Sequence, residues 1–218
     1  MMISRTTHGA NFRGVLDYLL NPDKRPQIIA NYMLGQTVDE LTREFDSIAN
    51  LRPTTRLPVR HISLSFAPED KVIEALDQET IVVRVLAEMG YRDCQFIGIA
   101  HHRDDPGHDQ AHNHDHLHIV VNAVNFHGER ISDAFERFRI QPILREIEKD
   151  FGLKQVANSW DVTADLPTML LANLKSQEHR VQLTEADRQQ FERATAMAVR
   201  VLKGKSKFKS GRIEIQLD

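Results

Sequence analysis

The stretch from His101 to Asn122 restricts this chain more than any other. Seven of its 11 histidines fall between His101 and His118, and the last two belong to the run His116-Leu117-His118-Ile119-Val120-Val121-Asn122. The β-branched residues favour an extended strand. In a strand, alternation puts His116, His118, Val120 and Asn122 on one face and Leu117, Ile119 and Val121 on the other. The two imidazoles then share a face with Cα atoms about 6.5–7 Å apart, a workable base for two ligands on one ion.

A third ligand must come from a neighbouring strand or loop. The preceding apolar run, DCQFIGIAH (93–101), reads as a buried strand that ends at a histidine pair. His102 is the expected third ligand. His101 is its competitor, because adjacent strand residues face opposite ways. Asp104 or Asp105, on the polar loop that follows, would supply an oxygen ligand or orient a histidine. His108, His112 and His114 lie on that loop with no apolar strand to fix them. Three imidazoles leave positions for water or substrate oxygen, the arrangement of a catalytic ion rather than a structural one. Imidazole alone suggests Zn²⁺, whereas Mg²⁺ or Mn²⁺ would draw further oxygen ligands from a substrate phosphate. Cys94 is the only cysteine, so neither a disulfide framework nor a cysteine-built zinc site is available.

Around this strand the order reads helices first, then strand, helix, strand, strand and a final helix. Phe12, Val15, Leu16, Leu19 and Leu20 have helical spacing, and Pro22 ends the segment. Residues 37–50 form a second helix, with Thr37 and Glu40 as a capping box. VRHISLSF (59–66) alternates as a strand, a long helix runs from about Lys71 to Met89, and Gly90 stops it. Residues 133–151 look helical but interrupted at Pro142. The expected fold class is α+β: a central antiparallel sheet with helices on one face and a partly open face.

With 218 residues and 41% apolar content, the chain suits one domain plus an appendage. No run of about 18 apolar residues suggests a membrane span. No membrane insertion is expected, and a cytoplasmic location is the default. The formal charge of −3 argues against a protein that coats nucleic acid. It leaves room for one that holds a single strand in one groove. The basic residues cluster at Arg5, Arg13, Lys24 and Arg25, at Arg52, Arg56 and Arg60, and at Lys203–Lys209.

Three segments in order resemble the relaxase/mobilization nuclease family, within the wider class of HUH single-strand endonucleases. They are GVLDYLLNPDKRP (14–26), VRHISLSFAPED (59–70), and IGIAHHRDD followed by HDHLHIVVNAVNFHGERI. The resemblance covers roughly residues 1–150. It implies that the open sheet face binds metal and DNA. It implies a nuclease domain over 1–160, with 161–218 as a C-terminal helix, basic segment and edge strand. It implies Tyr18 as nucleophile, His102, His116 and His118 as metal ligands, and Asp104 or Asp105 as the acidic partner of the first histidine. Ser65, and with it His61, would contact the strand near the scissile phosphate, and Asn122 would support the site. Arg13, Arg25, Arg56 and Arg60 would touch DNA phosphates. Tyr32 and His8 are the alternative nucleophiles.

The implied reaction is metal-dependent nicking and rejoining of single-stranded DNA at a plasmid transfer origin through a 5′-phosphotyrosine link. Relaxosome accessory proteins and a coupling protein would be partners. Two rivals predict different outcomes. A hydrolase with an ion held by three histidines and an activated water, using Asp104, Asp105 or Asp115 as base, would survive loss of Tyr18. A non-catalytic DNA-binding or replication accessory module would form no covalent adduct. Rolling-circle initiators commonly place the nucleophile after the histidine pair, and no tyrosine follows Tyr91 here.

Overall fold

The computed structural model describes residues 1–71, 73–102 and 114–158. Asp104, Asp105 and the appendage expected at 161–218 lie outside them. Ten elements follow one another: β1 (Ile3–Gly9), α1 (Phe12–Leu19), a 3-10 turn (Pro22–Lys24), β2 (Gln27–Asn31), α2 (Val38–Ala49), β3 (Val59–Ser65), α3 (Ala75–Met89), β4 (Phe96–His101), β5 (His116–Asn122) and α4 (Glu136–Asp150). The five strands form one sheet in the order β1-β3-β5-β4-β2. Every neighbouring pair is antiparallel. This is the expected α+β fold with a central antiparallel sheet, but helices pack on both faces of the sheet rather than on one.

The histidine strand lies at the centre of the sheet, with β3 and β4 on either side. Its period of two divides the molecule. Leu117, Ile119 and Val121 join Ile62, Leu64 and Ala100 in a core closed by α3 and α4, which contributes Ile81, Val82, Val85, Ile143, Leu144 and Ile147. Gly98 permits the approach of α3, since a Cβ there would lie 3.2 Å from Val82 Cγ1 and 3.3 Å from Ala30 Cβ. On the other face, Val59, Ile97, Ile99 and Val120 carry Phe12, Leu16 and Leu19 of α1 and Leu41 and Phe45 of α2. Phe12 and Phe45 stack with ring centroids 4.4 Å apart and bind the two helices to each other. This second helical layer meets β5 at Val120 and, through Phe45 O, at Asn122.

Local chemistry accounts for the helix boundaries. Thr37 and Glu40 form both halves of the capping box at α2. Gly90 adopts the left-handed conformation with φ 93° and ends α3; Tyr91 N–H then returns to Leu86 O at 2.8 Å. Three features differ from the sequence pattern. α3 begins at Ala75 rather than near Lys71, with Glu74 as its N-cap. α4 runs unbroken through Pro142, and its buried Ile140, Ile143, Leu144 and Ile147 hold it on the sheet. β1 and β2, the edge strands, sit in segments whose pattern shows helices or no element at all. β1 is mostly exposed or half-exposed along its length, and β2 is five residues long with a register shift between Ile28 and Ala30. Neither has the apolar alternation that marks a strand.

Candidate active site

The register of the sheet assembles the site. His101 is the cross-strand partner of His116, and Ile99 is that of His118. Side chains directly opposite in a sheet share a face, so His101 stands on the face of His116 and His118. One nitrogen of each of these three imidazoles lies within 4.8 Å of those of the other two, a set able to hold a metal ion. Ring centroids are 4.7 Å apart for His116 and His118, 5.0 Å for His101 and His118, and 5.4 Å for His101 and His116.

This corrects the expected ligand set at one position: His101, and not His102, completes the cluster. His102 follows the last residue of β4. Its Nε2 lies 3.1 Å from Gln27 Oε1, and its Nδ1 lies 3.7 Å from the Asp115 carboxylate. The sequence left this choice open between two adjacent residues that face opposite ways. The pairing with His116 decides it.

Each imidazole in the cluster has a partner that orients the ring and selects its tautomer. His101 Nε2–H donates to Leu19 O at 3.1 Å, so Nδ1 carries the lone pair. His116 Nδ1–H donates to His114 O at 3.3 Å, so Nε2 carries it. His118 Nδ1 lies 2.9 Å from His61 Nε2, and His61 Nδ1 lies 3.5 Å from Thr7 Oγ1. Protons on Nδ1 of both rings satisfy this chain in one direction, from His118 to His61 to Thr7. They leave His118 Nε2 basic. Such orienting partners fix ligand geometry and raise basicity. Burial pushes the His118 pKa down to about 2, aided by His116, His61, His101 and Lys24. Burial, then Arg5, lowers that of His61 to about 4. Both rings are therefore neutral near pH 7, the state a metal ligand needs.

The remaining expected residues fall into three groups. Ser65 pairs with His116, and Ser63 with His118; the two hydroxyl side chains border the imidazoles on the same face. Tyr18 is 60% exposed in the last turn of α1. Leu19, its neighbour, supplies the carbonyl bound by His101. Arg25 is exposed in the turn that follows.

A second group holds the fold instead of facing the site. Arg60 is 1% exposed. Its guanidinium donates to Leu57 O at 2.6 Å and to Asp133 Oδ2 at 3.0 Å. Burial and these bonds remove it as a DNA contact. Asn122 is fully buried; it donates to Phe45 O and Gln95 Oε1 and accepts from Val124 N–H, which ties α2 to the sheet. His61, expected against DNA, is half-buried and acts on His118. Arg13 is paired with Asp39 and Asp17.

The alternative nucleophiles form the third group, and both stand away from the cluster. His8 is opposite Arg60 in the register, on the α3–α4 face, where its Nε2 lies 2.6 Å from Glu136 Oε1. Tyr32 stacks on Phe96 with centroids 6.1 Å apart. Phe96 begins β4 and His101 ends it, roughly 17 Å along the strand.

Three convergent imidazoles on one sheet face, with an exposed tyrosine one residue from the helix-end carbonyl that His101 binds, are the layout of a metal-using enzyme. The family follows from the chain itself. Residues 18–153 match the nuclease domain of MobA/VirD2-like relaxases, and the chain belongs to that family. No curated protein matches it significantly. Among the described residues, no helix is long and apolar enough to cross a membrane.

Proposed function

We propose that this relaxase nuclease domain nicks and rejoins single-stranded DNA at a plasmid transfer origin, strand- and site-specifically, through a covalent link to Tyr18. The observation that carries the reading is the Leu19 O to His101 Nε2 hydrogen bond. It joins the end of the helix bearing Tyr18 to the imidazole cluster, which supports a nucleophile held beside a metal centre.

His101, His116 and His118 would hold a divalent ion, Mn²⁺ or Mg²⁺ with Zn²⁺ as the alternative. Bound there, it would supply Lewis acidity to a phosphate oxygen and offset charge gathering in the transition state. The protein's own contribution is positional. Leu19, His114 and His61 orient the three rings. Ser63 and Ser65 line the approach on the adjacent strand. α1 would offer the exposed Tyr18 phenol to the substrate.

The chemistry is transesterification. The Tyr18 Oη–P bond forms as the P–O3′ bond breaks, the phenolic proton is lost, and the departing 3′-oxygen gains one. A 5′-phosphotyrosine and a free 3′-hydroxyl result, and the stored ester permits resealing. Relaxosome accessory proteins and a coupling protein are the partners this activity calls for, and the cytoplasm is where it would act.

A covalent-adduct assay tests the reading. Wild-type protein and Tyr18→Phe are incubated with labelled oligonucleotides spanning the transfer origin, with Mn²⁺ or with EDTA. A denaturation-resistant band that needs metal and Tyr18 is expected. Cleavage without an adduct would point to a histidine-held ion activating water. An adduct that survives Tyr18→Phe would move the nucleophile elsewhere.

A further inference from the structure

The turn after α1 is built to place one cation. Asn21 Oδ1 accepts from Asp23 N–H at 3.0 Å, Pro22 fixes the first turn position, and Arg25 takes the left-handed conformation at φ 46°, ψ 52°. Arg25 N–H closes the turn on Pro22 O at 3.0 Å. The chain is thereby folded back on the last turn of α1, and Lys24 Nζ lies 3.2 Å from the centroid of the Tyr18 ring.

Lys24 is half-buried. Among the described residues, no carboxylate pairs with its ammonium. Arg13, from the same basic cluster, is by contrast neutralised by Asp39 and Asp17. An uncompensated cation thus stands on an exposed phenol, one residue before the Leu19 carbonyl that His101 binds. A cation–π contact at a surface is weak and by itself is a slight reason to hold a lysine there. A phosphodiester is the missing anion.

We propose that Lys24 is a substrate-binding residue of the nicking step. Its ammonium grips a non-bridging oxygen of the scissile phosphate and delivers phosphorus to the Tyr18 hydroxyl. The inference rests on Tyr18 being the nucleophile. In the free protein the ammonium rests on the ring face; with DNA bound, the flexible stem lets it turn toward the phosphate while staying beside the phenol. The bonds made and broken are those of the transesterification above. Lys24 keeps its proton throughout and contributes charge at the point where the pentavalent phosphoryl group gathers it.

The test is single-turnover adduct formation by the full chain with Mn²⁺ and a labelled cognate strand, using wild type, Lys24→Met and Lys24→Arg. Lys24→Met is expected to slow adduct formation about 100-fold, the scale of losing one preorganised donor, while its thermal midpoint stays at the wild-type value. Lys24→Arg should recover most of the rate, because a cation is restored. With a strand carrying an uncharged methylphosphonate at the scissile position, the gap between wild type and Lys24→Met should shrink to a few-fold, about what remains when the phosphate charge is gone. A purely structural lysine would leave that gap unchanged, and this result would overturn the proposal. Equal adduct rates for wild type and Lys24→Met would also overturn it while leaving the nucleophile reading intact. A wild type that forms no adduct on its cognate strand would remove both.

Discussion

The two faces of β5 are made from the same seven residues and follow opposite rules. On one face, Leu117, Ile119 and Val121 are at most 1% exposed and meet a continuous apolar layer from α3 and α4. On the other, the apolar layer stops after Val120, and the strand continues as His118 and His116. Burial stabilises the first face whichever partners it meets, because the hydrophobic effect is non-directional. The second face depends on direction: each imidazole must have its proton on one nitrogen and its lone pair toward a common point. A sheet register of one residue separates the two, since a slip would turn every histidine into the core.

The sharpest way to break the comparison is to exchange the consequences of mutation between faces. His118→Ala removes a ligand and should abolish measurable metal binding by calorimetry and cut adduct formation by about 100-fold or more. The fold should remain, because a neutral ring at the edge of the core is lost rather than a packed aliphatic one. Ile119→Ala, one residue along, should do the reverse. It should cost about 2–5 kcal/mol in denaturant unfolding, with metal affinity retained by the folded fraction. If His118→Ala unfolds the protein while Ile119→Ala spares it, the division of labour is wrong.

Smaller effects sharpen it. His61→Ala should weaken metal binding by about 10–100-fold through loss of the orienting partner of His118, with His61→Gln recovering part of it. The contrast between His101→Ala and His102→Ala should be large in calorimetry, since only the first removes a member of the cluster. An equal loss in both would return the third ligand to the loop side of β4.

The smallest effect concerns pH. His61 has a folded pKa of about 4 against an ordinary 6.5, so the unfolded chain binds its proton first as pH falls. Metal-free protein should therefore keep this contribution above pH 6.5 and lose it progressively between 6.5 and 4. His118, lowered further to about 2, acts in the same direction and extends the loss below that window. Thermal midpoints measured from pH 7.5 to 5 should fall, and His61→Gln should flatten part of the slope.

What could be read from the sequence follows the same division. Alternation exposed β3 and β5, and a continuous apolar run exposed β4, which is buried on both faces; alternation also placed His116 and His118 on one face with Leu117 and Ile119 on the other. Caps located α2 and the end of α3 because Thr37, Glu40 and Gly90 act through local backbone geometry. β1 and β2 carry no such signal: as edge strands they are recognised by the hydrogen bonds of a neighbour, which no local pattern records. The same reason hid the choice between His101 and His102, which depends on pairing across to His116. It also hid the turn of Arg60 into the core, where Leu57 O and Asp133 meet its guanidinium. Tertiary partners such as His61 on His118, and Lys24 on Tyr18, join residues 57 and six positions apart with no periodicity to announce them.

The most direct measurement is the chemical location of the DNA on the protein. The metal-dependent adduct would be trapped, digested with trypsin and nuclease, and its nucleotide-bearing peptide sequenced by mass spectrometry. The account predicts a phosphodiester on the peptide Gly14–Lys24, at Tyr18. A modified peptide containing Tyr32 or His8, or cleaved DNA with no modified peptide, would contradict it.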